Sequence, residues 1–200
     1  YEIPKRDWSS DVCSYDLKNS KKNFALEIGS NYGGTTVGLC NLFENVITID
    51  IKHHPNFDII KQKYGGYNYI ISDSKSNSTV EWLKTLNIKF DFIFIDGDHS
   101  YEGVKSDYLK YKQFLADDGF LAFHDIVESE ENIKNNIMVH KFWNDLKVEY
   151  NDFWEFVDHQ KNFEYSTKNL FHSIMETQRY ETWGGIGLIK NVKLAVFSHN

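Results

Sequence analysis

Five short apolar runs most constrain what this chain can fold into. They read FALEIG (24–29), VITIDI (46–51), YNYIIS (67–72), FDFIFID (90–96) and GFLAFHDI (119–126). Each is close to continuously apolar rather than alternating. Strands covered by helices on both faces of a parallel sheet have that pattern. The intervening stretches carry helical signals. TTVGLCNLFENV offers Val37, Leu39, Cys40 and Leu42 to a buried helical face. PNFDIIKQKYGG opens on Pro55 and closes on Gly65-Gly66, as helices begin and end. STVEWLKTLN (78–87) predicts a helix with Ser78 or Thr79 as N-cap. Val104, Tyr108, Tyr111 and Leu115 recur at helical spacing. A longer helix is predicted over 131–148, and FWEFVD (153–158) and GIGLIK (185–190) read as final strands. Strands alternating with helices predict an α/β fold built on a parallel sheet.

At 200 residues, with two prolines and no obvious linker, the chain suits one domain. The segment DWSSDVCSYDL (7–17) resembles a translated sequencing adapter, differing at Tyr15. Residues 1–17 are therefore expected to be non-native or without fixed structure, and 18–200 to form the domain. A net charge of −7 argues against nucleic-acid binding through a broad basic surface. Cys13 and Cys40 make neither a disulfide framework nor a zinc site, so a reducing, cytoplasmic setting is expected. No apolar run approaches the roughly 18 residues of a membrane span. Homo-oligomerisation is left open.

In parallel sheets of this kind, ligands bind beyond the carboxyl ends of the strands. The first run ends in LEIGSNYGGTT, where Glu27, Gly29, Gly33 and Gly34 surround a tight turn into a helix. The spacing is G-x-x-x-G-G, not the G-x-G-x-x-G of dinucleotide enzymes. A carboxylate at Glu27 would also repel phosphates. The second run ends at Asp50, where an acid can accept the hydroxyls of a ribose. The third ends in Ser72-Asp73-Ser74, polar groups able to reach an adenine edge. These three ends describe a nucleoside site without a diphosphate.

The fourth run ends at Asp96, followed by Gly97, Asp98 and His99, and the fifth at His124-Asp125. Asp96, His124 and Asp125 offer two hard oxygen ligands and one imidazole. That set suits Mg2+ or Mn2+, and its nitrogen would also tolerate iron or zinc. His99, with an ordinary pKa of about 6.5, suits a general base at neutral pH. Asp98 and Ser100 are expected to start the next helix.

LEIGSNYGGTT, the acidic end of VITID, FIFIDGDHSYEGVKSD and GFLAFHDI together resemble the class I S-adenosylmethionine-dependent methyltransferases. Within them, the chain looks most like the metal-dependent O-methyltransferases that include the macrocin- and mycinamicin-type sugar enzymes. The likeness covers about residues 23–128, with FWNDL and GGIGLI similar to the same branch. It implies a Rossmann-like three-layer sandwich with a mostly parallel seven-stranded sheet and an antiparallel final strand. It further implies that Glu27, Gly29 and Ser30 line the methionine end of the donor, with Gly33 in the same turn. Asp50 would hold the ribose, and Asp73 with Ser74 would lie near adenine. Asp96 and Asp125 would hold a metal, completed at position 124, where related enzymes often carry an acid and this chain has His124. His99 falls where those enzymes place a catalytic histidine. The implied acceptor is a hydroxyl on a small molecule or sugar.

Two other activities fit parts of the pattern. A dehydrogenase using NAD or a nucleotide sugar shares the fold and the ribose acid but lacks its glycine fingerprint. A metal-dependent hydroxylase would use two histidines and one carboxylate, a formula that His99, His124 and either aspartate could meet.

Overall fold

The computed structural model describes residues 23–150, 153–157 and 184–190. The expected non-native segment 1–17 lies outside them, as do Cys13, His159 and His172. Seven strands form one sheet: β1 (Phe24–Ile28), β2 (Asn45–Asp50), β3 (Tyr67–Ile71), β4 (Phe90–Ile95), β5 (Leu115–His124), β6 (Phe153–Phe156) and β7 (Ile186–Lys190). Their order is β3-β2-β1-β4-β5-β7-β6. β7 pairs antiparallel with both β5 and β6, and the pairings among β1 to β5 are parallel. This is the Rossmann-like architecture that the resemblance implied, mostly parallel with its antiparallel pairings at one edge.

The helices are α1 (Gly34–Leu42), α2 (Pro55–Lys63), α3 (Asn77–Thr85), α4 (Tyr101–Tyr111), α5 (Glu130–Lys134) and α6 (Val139–Lys147). They bury the two faces of the sheet separately. On one face Leu26, Ile28, Ile93 and Ile95 pack with Val80, Leu83, Val104, Tyr108 and Trp143 from α3, α4 and α6. On the other, Ala25, Val46, Phe92 and Phe94 pack with Leu39, Phe57 and Ile60 from α1 and α2. Successive residues of a strand point to opposite faces, so each apolar run serves both clusters.

Several boundaries differ from the sequence reading. The helix predicted over 131–148 is two helices, because Asn136 takes a left-handed φ of 58° and breaks it. Asparagine tolerates that conformation better than most residues. The N-cap of α3 is Ser76, whose hydroxyl accepts from the Ser78 N–H, rather than Ser78 or Thr79. β5 begins earlier than predicted, at Leu115, across a register shift opposite Phe90 and Phe92. Val37, Cys40 and Leu42 are only partly buried on α1, and Leu39 and Thr36 are its buried residues. Among the described residues, no helix is long and apolar enough to cross a membrane.

Strand register positions the site. Ile28 pairs with both Ile49 and Ile95, and Ile95 pairs with Phe123. The next residues of these strands or turns, Gly29, Asp50, Asp96 and His124, therefore emerge at one level on the carboxyl edge.

Candidate active site

The turn after β1 is drawn tight by its neighbours. Gly29 adopts a φ of +82°, and a Cβ there would lie 2.3 Å from the backbone oxygen of Asp96. Only glycine fits that contact. Asp50 Oδ2 accepts the backbone N–H groups of Ser30 and Asn31, both at 2.9 Å, while Oδ1 accepts from Lys52. The end of β2 thus shapes the turn that follows β1. Gly33, also left-handed, is the residue preceding α1.

Glu27 lies beneath this turn and is fully buried. Its Oε2 accepts the hydroxyls of Thr36 at 2.6 Å and Thr48 at 2.9 Å, and Oε1 has no partner. Burial pushes its pKa up to about 8, against the two threonine hydrogen bonds, with Asp96 and Asp50 adding repulsion. Thr48 sits directly across from Glu27 in the β1–β2 register. Thr48 is the buried polar residue of β2, a role the sequence alone did not assign.

The loop after β3 is folded on itself. Asp73 is exposed, its Oδ1 accepts from the Lys75 N–H, and its carbonyl accepts from Ser76 and the Thr79 hydroxyl. The Ser74 carbonyl accepts from the Tyr111 hydroxyl at 2.7 Å. Behind this loop stands a residue the sequence reading missed. Asp107 on α4 is fully buried, and neither of its oxygens makes a hydrogen bond of standard geometry. Burial pushes it up to about 6, although the Ser74 side chain beside it acts the other way.

The ends of β4 and β5 bring together the predicted acids and histidines. Ligating atoms of Asp96, His124 and Asp125 all lie within 4.8 Å of one another. His124 Nδ1 is 3.4 Å from Asp96 Oδ1 and 3.1 Å from Asp125 Oδ1. His99 joins from the other side, with Nδ1 at 2.6 Å from Asp125 Oδ2 and Nε2 at 3.6 Å from Asp96 Oδ1. Asp96 Oδ1 is buried and has no hydrogen-bond partner. Asp125 holds an unusual left-handed φ of 61°, which turns its carboxylate between the two imidazoles. Met138 fixes the His99 backbone by donating its N–H to the carbonyl at 2.8 Å. Gly184, just before β7, borders the cluster: a Cβ there would meet Asp125 Oδ1 at 3.9 Å and His124 Cε1 at 4.0 Å.

The four groups balance one another's charge. Burial raises Asp96 to about 6, opposed by His124 and His99. Burial alone would depress His124, but Asp125 and Asp96 outweigh it and lift it to about 9. Burial would raise Asp125, but the two histidines hold it well below the usual carboxylate range. The bond to Asp125 raises His99, against the effect of burial. Asp98 and Ser100 do other work, as expected. Ser100 caps α4 by accepting from the Gly103 N–H. Asp98 accepts from the Ser100 N–H and pairs with Lys75 at 2.8 Å; these pull it down to about 2 in spite of burial. His54 caps α2 through Nδ1, and Trp143 is a core residue whose indole donates to Glu155.

Comparison with known proteins separates the fold from its chemistry. The structure resembles the N-methyltransferase NodS from Bradyrhizobium japonicum, with a TM-score of 0.59 and 13% identity over 88% of this chain and 90% of that one. It resembles the O-methyltransferase from Bacillus cereus, solved with S-adenosylhomocysteine, with a TM-score of 0.56 and 14% identity over 83% and 72%. It also resembles spermidine synthase from Thermotoga maritima, with a TM-score of 0.52 and 14% identity over 86% and 53%. At such identities the likeness is one of fold, and the fold serves more than one transfer. No curated protein matches the sequence significantly. The dehydrogenase and hydroxylase alternatives find no support in these comparisons. The family model for a methyltransferase domain matches residues 26–126, from the middle of β1 past the end of β5. That span contains the glycine turn, the acid of β2 and the whole acid–histidine cluster, and the chain belongs to this family of S-adenosylmethionine-dependent methyltransferases.

Proposed function

We propose that the protein transfers the methyl group of S-adenosylmethionine to a hydroxyl of a small molecule or sugar, with a divalent metal ion at the β4–β5 edge. One observation carries this reading: Asp96 Oδ1, buried and without a hydrogen-bond partner, faces Asp125 and two imidazoles at the end of the strand beside the glycine turn. Such an oxygen is costly unless something binds it. The donor set of two carboxylates and one imidazole nitrogen fits a divalent cation. Asp96, His124 and Asp125 would hold the ion. When bound, it would supply the Lewis acidity that lowers the pKa of an acceptor hydroxyl.

The remaining work belongs to the chain. Gly29, Ser30 and Gly33 form the turn for the methionine end of the donor, with Glu27 supporting it from beneath. Asp50, already anchoring that turn through three backbone N–H groups, accepts a ribose hydroxyl with the acceptor capacity left on Oδ1. Asp73 and Ser74 border the adenine. His99 takes the acceptor proton at Nε2. Its Nδ1–H donates to Asp125 Oδ2, which selects that tautomer and steadies the imidazolium that forms. The acceptor oxygen then bonds to the methyl carbon as the carbon–sulfur bond breaks, and the sulfur keeps the electron pair. Alignment of oxygen, carbon and sulfur supplies much of the rate.

The test measures S-adenosylhomocysteine formation with a panel of sugars and vicinal diols. His99→Ala should lose turnover and keep its affinity for S-adenosylhomocysteine. Loss of both would make His99 structural. Full activity in EDTA would remove the metal from the mechanism. The single-domain assignment to residues 18–200 belongs to the same proposal, and limited proteolysis that splits the domain would refute it.

A further inference from the structure

We propose that His124 makes this a site for transition-series divalent ions, with Mn2+ preferred to Mg2+, by placing imidazole Nδ1 among the two carboxylates. The inference rests on the metal reading above and concerns which ion the residues select. The ring is held in place. Its Nδ1 faces Asp96 Oδ1 at 3.4 Å and Asp125 Oδ1 at 3.1 Å. Phe94 meets it edge to face, with centroids 6.3 Å apart. On the Cε1 side it is bordered by Gly184, where a Cβ would come to 4.0 Å. The nitrogen and one oxygen from each carboxylate thus lie within 4.8 Å of one another, close enough to share one ion.

Mg2+ takes an octahedron of oxygens and gives up water reluctantly. Imidazole nitrogen suits the later divalent ions, and affinity at mixed nitrogen–oxygen sites rises along the series from Mn2+ through Fe2+ and Co2+. An aspartate at position 124 would leave three carboxylates and remove that bias. His99 bonds Asp125 Oδ2 through Nδ1 at 2.6 Å, and its Nε2, 3.6 Å from Asp96 Oδ1, is the nitrogen assigned above to the acceptor proton, so the His99→Ala arm below separates the two rings.

Two measurements test this on the full chain. Calorimetric titration with Mg2+, Mn2+ and Co2+ should show that His124→Asp lowers the Mn2+-to-Mg2+ affinity ratio by roughly 10- to 100-fold, the range over which changes around metal sites commonly act. Electron spin-echo spectroscopy of the Mn2+-loaded protein should show coupling to a ring nitrogen that persists in His99→Ala and disappears in His124→Asp. An unchanged ratio, or wild-type Mn2+ without nitrogen coupling, overturns the inference. If His124→Asp does not fold, the coupling in wild type and His99→Ala still decides it. Failure of wild type to bind any of the three ions would instead overturn the metal reading of the proposed function.

Discussion

The two halves of the carboxyl edge solve opposite problems. On the β1–β2 side Asp50 receives backbone N–H groups and Glu27 receives two hydroxyls, although Glu27 Oε1 keeps no partner in an acid that burial favours as neutral. On the β4–β5 side, Asp96 keeps a buried oxygen with no hydrogen-bond partner, and balance comes from other side chains. The first half is a shape made in advance by the backbone. The second is a set of charges that the proposed metal ion would complete. Donor recognition and acceptor activation should therefore fail separately.

The sharpest way to break that contrast is Asp96→Ala. Turnover should fall by about 10³-fold or more, on the order of 4 kcal/mol, while calorimetry shows S-adenosylhomocysteine binding nearly unchanged. Equal loss of both would mean that the two halves are one unit. Asp50→Ala should do the reverse. It frees the Ser30 and Asn31 N–H groups and removes the acid proposed to hold the ribose, so S-adenosylhomocysteine affinity should drop by roughly 10²-fold, about 3 kcal/mol. Mn2+ binding should be retained. Loss of Mn2+ binding here would also erase the distinction.

Glu27 gives a smaller effect, read in pH. Its folded pKa of about 8 lies above its unfolded value of 4.5. The folded chain keeps a proton that the unfolded chain has lost between those values. The stabilising contribution is complete below about pH 4.5 and is lost as pH rises through 8. Glu27→Gln should flatten the decline in Tm between pH 5 and 8 on scanning calorimetry, and an unchanged slope would refute the buried neutral acid. Asp107 should act in the same direction over the narrower window from 3.8 to about 6. Asp107→Asn should remove that slope with the least effect on transfer. A large rise in the donor KM would instead bring Asp107 into the donor half.

Much of the frame was legible because strands buried on both faces announce themselves as apolar runs, and the residues ending them emerge on the ligand-binding edge. Asp96 and His124 come together from the register alone, one position beyond the Ile95–Phe123 pair. What stayed hidden depended on side chains turning inward. Asp107 lies on a helix among polar neighbours, and no spacing distinguishes it from a solvated aspartate. Thr36 and Thr48 gain their role only when the sheet places them around Glu27. The break between α5 and α6 turned on the backbone of Asn136, where apolar periodicity ran on regardless.

The contact between Gly29 and the Asp96 backbone sets a limit on this division of labour. The turn after β1, proposed to hold the donor, rests against the very peptide that carries Asp96, the proposed metal acid. Even a single added methyl at position 29 would act as a wedge and displace both at once. Side-chain variation can alter the β1–β2 end or the β4–β5 end separately, but the backbone contact between them admits no independent adjustment.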